Sequence, residues 1–371
     1  MPRERYLADS IRADLKKKMV LLSGPRQVGK TTLTKSLLGK RLGYLSWDIA
    51  EDREHILRRE LPPSPLWVFD EIHKYRGWRN YLKGLFDGRR KGQQILVTGS
   101  ARLDYYRRGG DSLQGRYHSL RLHPLSAAEV GAKNAADLLQ LLALGGFPEP
   151  FFSGSETEAR RWSREYRNLL VREEITSLER VADLGRIELL MLRLPDLVGS
   201  PLSLNALRED LDVSHKAVAN WIAILERLFA VFRLSPFGAP RLRAVKKAQK
   251  HYHFDWTLVQ ERGPRFENLV ASHLLKWCDF QQDAQGRDVE LQYFRDIDGR
   301  EVDFVTVERR QPLLAVEAKW SDEPVARGLS YFKQRFPRCE AWQVSAAGIQ
   351  DYVTPEGIRV APAHRLLSSL V

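Results

Sequence analysis

Met19-Val20-Leu21-Leu22-Ser23-Gly24-Pro25-Arg26-Gln27-Val28-Gly29-Lys30-Thr31-Thr32 is the stretch on which the reading of the chain turns. A short apolar run, Met19 to Leu22, leads into the spacing G-x-x-x-x-G-K-T, and a helix-like segment follows. Strand, loop and helix in that order is the context in which this spacing cradles phosphates. The glycines let the backbone curl until its N–H groups face a phosphate, and the positive end of the following helix adds to the field. Gly24, Pro25, Arg26, Gln27, Val28, Gly29, Lys30, Thr31 and Thr32 are therefore expected to bind ATP. Lys30 would reach the β and γ phosphates, and Thr31 would hold Mg²⁺. The competing reading is a chance glycine-rich turn before a helix.

Downstream, Leu66-Trp67-Val68-Phe69-Asp70-Glu71 is an apolar run that delivers two carboxylates at its end, where α/β sheets bind ligands. Asp70 is expected to act on Mg²⁺ through its water shell and Glu71 to polarise the attacking water. Further apolar runs at Tyr44 to Ile49, Ile95 to Thr98 and His118 to Leu122 alternate with helix-like stretches, which predicts a parallel sheet covered on both faces. Pro124 closes the last of these, and the segment from Ala127 to Leu144 is expected to be helical.

A chain of 371 residues exceeds what a single core usually holds, so two or three domains are expected. Apolar residues at 43% and charged residues at 29% are ordinary for globular protein and argue against wholesale disorder. The formal charge of +12 points towards a polyanionic partner. Two distant cysteines, Cys278 and Cys339, support neither a disulfide framework nor a thiolate metal site, and His73, His123, His215 and His273 do not share metal-ligand spacing. A start charged throughout and the lack of a long apolar run predict a cytoplasmic protein that neither enters a membrane nor is secreted.

From Ser155 to about Leu234 helical spacing dominates. Leu204 to Leu211, a tight turn at Asp212 to Ser214, and His215 to Phe229 read as helix-turn-helix, with Ser214 the N-cap of the second helix. The basic stretch from Phe232 to Lys250 then suggests the β-hairpin of a winged helix-turn-helix. The second helix would present His215, Lys216 and Asn220 to DNA, and the wing would add Arg241, Arg243, Lys246, Lys247 and Lys250 as phosphate contacts. Trp221, Ile222 and Leu225 read as core. Such modules also mediate protein contacts, which is the alternative.

Beyond Pro264 the pattern returns to α/β: a helix from Arg265 to Trp277, strands near Leu291 to Arg295, Arg300 to Val307 and Pro312 to Lys319, a helix near Ala326 to Phe336 and a strand at Glu340 to Val344. Side chains alternate along a strand, so Glu317 and Lys319 share a face and can converge with Asp303 from the neighbouring strand, with Glu267 on the opening helix. Asp303 and Glu317 could bind Mg²⁺ while Lys319 orients a hydroxide. Alternating charges on an edge strand would look the same. The set resembles the PD-(D/E)XK nuclease core, with Glu267 matching its helix acid and Asp303, Glu317 and Lys319 its D…E-x-K residues, although Val302 precedes Asp303 where proline is also found.

The strings LLSGPRQVGKTTL, VFDEIHK and ILVTGSAR resemble a large prokaryotic group of AAA-type ATPases that carry a nuclease-like C-terminal domain. The resemblance implies that Ser100, ending the strand after the acidic one, senses the γ-phosphate. It also implies an arginine acting in trans across a subunit interface in a homo-oligomer, with Arg116 expected in that role and Arg102 competing. The fold expected is α/β: a P-loop parallel-sheet ATPase domain over residues 1–135, a helical and winged helix-turn-helix domain over 136–255, and a small α/β nuclease-like domain over 256–371. The function expected is a DNA-associated ATPase, coupling ATP binding and hydrolysis to binding or remodelling of duplex or branched DNA. The alternatives are an ATP-controlled, metal-dependent DNA nuclease and a nucleotide-gated DNA- or protein-binding switch with slow hydrolysis.

Overall fold

Inner strands whose side chains are buried on both faces build the middle of the first sheet, as parallel sheets under helices require. β1 (Met19–Ser23), β2 (Tyr44–Ser46), β3 (Leu66–Asp70), β4 (Gln94–Gly99) and β5 (Tyr117–Arg121) run parallel in the order β2-β3-β4-β1-β5. β1 is buried at all five positions. Helices Lys30–Leu38, Ala50–Arg58 and Trp78–Asp87 link the strands. Phe69, Ile72, Trp78, Tyr81, Leu82 and Val97 belong to the core cluster of this layer. The computed structural model describes residues 4–39, 42–100, 103, 113–175, 183–238 and 249–371, without the side chains of 173 and 174.

The chain forms two compact units. The first is Met1–His123 with the short returns Arg227–Phe229 and Asp283–Gln285, and the second takes the rest. Helices dominate the second unit up to residue 230. The helical segment expected from Ala127 to Leu144 is present as two helices, Ala127–Val130 and Ala135–Leu144, because Gly131 turns left-handed at φ 71° and Asn134 caps a fresh start by accepting the Asp137 N–H. Two helices stand where the helix-turn-helix is expected, Leu204–Asp210 and His215–Arg227. Asp212 takes φ 50° in the turn, and the Ser214 hydroxyl accepts the Ala217 N–H at 3.1 Å.

β6 (Val231–Pro236) and β7 (Lys250–His253) do form an antiparallel pair, yet they are not a free wing. β6 also pairs in parallel with β8 (Val289–Arg295), at Ser235 with Gln292. The pair thereby becomes one end of an eight-stranded sheet with β9 (Glu301–Glu308), β10 (Gln311–Lys319), β11 (Glu340–Ser345), β12 (Tyr352–Val353) and β13 (Ile358–Pro362), in the order β12-β13-β11-β10-β9-β8-β6-β7. The expected division at residues 255 and 256 thus runs through a continuous sheet. Arg241, Arg243, Lys246 and Lys247 lie outside the described residues. Lys250, expected on the DNA-facing surface, is instead 1% exposed, since β7 is buried along its length and a bridge to Pro201 covers it.

Candidate active site

The phosphate loop leaves the carboxyl end of β1, and its shape depends on two glycines. A Cβ at Gly24 would lie 2.3 Å from the Leu122 carbonyl oxygen, and Gly29, at φ 100°, turns the chain into helix Lys30–Leu38. Gln27 is also left-handed, at φ 60°. Lys30 is largely buried, its Nζ donating to the carbonyls of Gly24 at 2.8 Å and Pro25 at 2.7 Å. These carbonyls hold the ammonium over the loop, from which phosphate oxygens would take it over. Arg5 braces the loop from outside by donating to the Val28 carbonyl at 2.7 Å, and the Tyr6 hydroxyl donates to the Arg121 carbonyl at 2.6 Å.

Strand order brings the acidic pair to this loop. Asp70 ends β3, where its carboxylate accepts from the hydroxyls of Tyr44 and Thr98 and lies 3.5 Å from Thr31 Oγ1. Burial, then the neighbouring Asp70, raises the Tyr44 pKa, so this hydroxyl remains a donor. Thr31 and Asp70 form a hard-oxygen set that fits Mg²⁺. Glu71 follows at φ 55°, a conformation that is costly for a non-glycine residue and clusters at functional sites. Its Oε2 accepts from Ser100 Oγ at 3.3 Å and lies 3.5 Å from His73 Nε2 and 3.8 Å from Lys74 Nζ. Tyr44, Thr98 and Arg5 escape a motif reading. The available signals were a tyrosine and a threonine on strands flanking the acidic one.

Arg116 precedes β5, whose Tyr117 is paired with Met19 at the opposite end of β1 from the loop. Five residues of strand separate them, roughly 16 Å. Its guanidinium holds Asp87 by two bonds, at 2.8 and 3.1 Å. Arg116 therefore does not reach its own phosphate loop. Arg102 lies outside the described residues.

In the second unit, the structure brings Glu267, Asp303, Glu317 and Lys319 together and adds two residues that spacing did not reveal, Lys250 and Glu301. The β9–β10 ladder runs to Phe304 and Val316, beyond which side chains take over: Asp303 Oδ2 accepts the Ala318 N–H at 2.9 Å, and Glu317 Oε2 accepts the Asp303 N–H at 3.4 Å. Lys319 Nζ lies 3.0 Å from Glu317 Oε1, as a shared strand face requires. Lys250 Nζ pairs with Glu301 and lies 3.7 Å from Glu267 Oε1 and 3.9 Å from Asp303 Oδ1. Burial pushes Asp303 well above the usual carboxylate range, helped by Glu267 and Glu317. Burial works against the Lys250 ammonium, but Glu267, Asp303 and Glu301 outweigh it and raise its pKa. Among the described residues, no group of three or more His, Cys, Asp or Glu could hold a metal ion. With an ammonium already among the acids, these residues do not fit a resident divalent ion.

His215, Lys216 and Asn220 are exposed on helix His215–Arg227, while Val218, Trp221, Ile222 and Leu225 face the core. Among the described residues, no helix is long and apolar enough to cross a membrane.

Residues 16–131 match a family described as an AAA domain, residues 135–262 a domain of unknown function (DUF8612), and residues 262–366 another domain of unknown function (DUF4143). An uncharacterised protein of Mycobacterium bovis and one of Mycobacterium tuberculosis are each 27% identical over 315 residues, 77% of this chain and 69% of theirs. Among solved structures, a Walker-type ATPase of Pyrococcus abyssi aligns with a TM-score of 0.46 at 13% identity, over 70% of this chain and 97% of that one. A RuvB variant of Thermotoga maritima aligns with a TM-score of 0.30 at 19% identity, over 61% and 85%. At such scores these two likenesses carry no functional weight. The phosphate loop, the acidic strand beside it and the family match agree in one respect: residues 16–131 are similar to a P-loop domain of the AAA type.

Proposed function

We propose that this chain is a DNA-associated ATPase in which ATP binding and hydrolysis control its grip on duplex or branched DNA. The observation that carries the catalytic half is the hydrogen bond from Ser100 to Glu71, which ties the residue just after β4 to the residue that would polarise water. Lys30 and the loop N–H groups bind and orient the phosphates. Thr31 and, through water, Asp70 hold Mg²⁺, which supplies neutralisation of phosphate charge when bound. Tyr44 and Thr98 fix the Asp70 carboxylate by donating to it. Glu71 takes the water proton, and Ser100, whose hydroxyl donates to Glu71 without nucleotide, turns that hydroxyl to the γ-phosphate when ATP is bound. The DNA half is supported by the net positive charge and by the exposed face of helix His215–Arg227 carrying His215, Lys216 and Asn220.

Lys30→Ala should abolish nucleotide binding, while Glu71→Gln should keep binding and lower turnover by roughly 10² to 10⁴-fold. Ser100→Ala should lower turnover by about tenfold or more with affinity little changed. Equal ATP affinity in Lys30→Ala and the unsubstituted protein would remove the site. ATPase rates measured without DNA and with duplex, single strand and a branched junction test the partner. A rate indifferent to all three would leave an ATPase whose partner is not DNA.

A further inference from the structure

We propose that Lys250 is the resident cation of the acidic cluster in the second unit, standing where a divalent ion would have to bind, so that this domain takes no metal and does not cut DNA. The lysine comes from β7, outside the helix and two strands that supply the acids, and its side chain is 1% exposed. It reaches three carboxylates at once: Glu301 directly, Glu267 at 3.7 Å and Asp303 at 3.9 Å. The fourth acid, Glu317, is taken by Lys319 at 3.0 Å.

The surroundings hold this arrangement in place. The Tyr252 hydroxyl, on the same strand as Lys250, donates to Glu267 Oε1 at 2.7 Å. The backbone at Gly199 presses so close that a Cβ there would lie 2.8 Å from Glu267 Oε2. Pro201 bridges to Lys250 itself. Asp303 and Glu317 spend further oxygens on the backbone N–H groups of Ala318 and Asp303. A divalent ion between Glu267 and Asp303 would share both ligands with the ammonium and be repelled by it, so one cation excludes the other. The nuclease-like residues then serve as an internally paired polar cluster on the eight-stranded sheet.

The test counts bound Mn²⁺ on the full chain, without nucleotide, by the electron paramagnetic resonance of the free ion. The unsubstituted protein should show no Asp303-dependent uptake of Mn²⁺ into the millimolar range. Lys250→Met, which keeps the stem and removes the charge, should take up a single ion at least about tenfold more tightly, since ligand charge sets affinity. Adding Asp303→Asn should abolish that uptake. ATP turnover, assigned above to the first unit, should be unchanged in both variants, which separates a failure here from a failure of the ATPase reading. Asp303-dependent Mn²⁺ uptake by the unsubstituted protein would overturn the proposal, as would a folded Lys250→Met that binds no better than the unsubstituted chain. Should circular dichroism show Lys250→Met unfolded, the unsubstituted protein and Asp303→Asn decide alone: equal absence of uptake supports the proposal, and a difference between them overturns it.

Discussion

His273 shows how neighbours set the chemistry of one side chain. Its Nε2 accepts the Ala127 N–H at 2.9 Å, and its Nδ1 lies 2.8 Å from the Leu269 carbonyl, so the ring is neutral with its proton on Nδ1. Burial, the largest influence, lowers its pKa from 6.5 to about 4. An unfolded chain takes up a proton below pH 6.5 that the folded one refuses until about pH 4, so stability falls as pH drops through that window. The loss is about 1.4 kcal/mol per pH unit, near 3 kcal/mol in all. His273→Gln, whose amide can make both bonds, should flatten the fall by that share, measured by urea unfolding at neutral and mildly acid pH. An unaltered pH dependence would move the acid sensitivity to other groups. The spacing of His273 in the sequence carries no hint of this, because both partners are backbone groups fixed by the fold.

Among elements, the most legible were those closed by local chemistry. β9 and β10 emerge almost as read, because the alternation of their side chains ends in a turn at Arg309 and Arg310, both left-handed at φ 48° and 69°. β2 is shorter than its apolar run suggests: it stops at Ser46, whose N–H is taken by the Asp52 carboxylate at 2.8 Å, and helix Ala50–Arg58 begins soon after. Ser214 was legible as a cap because capping is a matter of a few residues. Ser214→Ala should cost about 1 kcal/mol, read from the denaturation midpoint, and no change would mean that water replaces the cap. On the same helix, Lys216→Glu should weaken DNA binding at every sequence and reduce the salt slope by roughly one unit or more. An unchanged slope would place the DNA contacts elsewhere.

For the whole molecule, the position of Arg116 separates cis from trans. It lies at the far end of the first sheet from its own phosphate loop and is held by Asp87, so any part in hydrolysis needs a second copy of the chain. Arg116→Ala and Lys30→Ala, each inactive alone, should regain part of the ATPase rate when mixed, as an arginine supplied in trans implies. An Arg116→Ala protein with full activity would confine this residue to its pair with Asp87. The sequence by itself determined the shape of the phosphate loop, since that loop is specified by glycines, a lysine and a threonine within eight consecutive residues, and their spacing dictates the backbone curl. It also determined which strand faces carry Asp303, Glu317 and Lys319, since alternation is a local rule. Only the tertiary structure decided the fate of Lys250. In sequence it ends a basic run and reads as surface. Its burial depends on β6 pairing with β8, Ser235 against Gln292, and on Pro201 closing over β7. Contacts between segments so far apart in the chain leave no period or spacing to read, and they turned a presumed DNA contact into the cation at the centre of an acidic core.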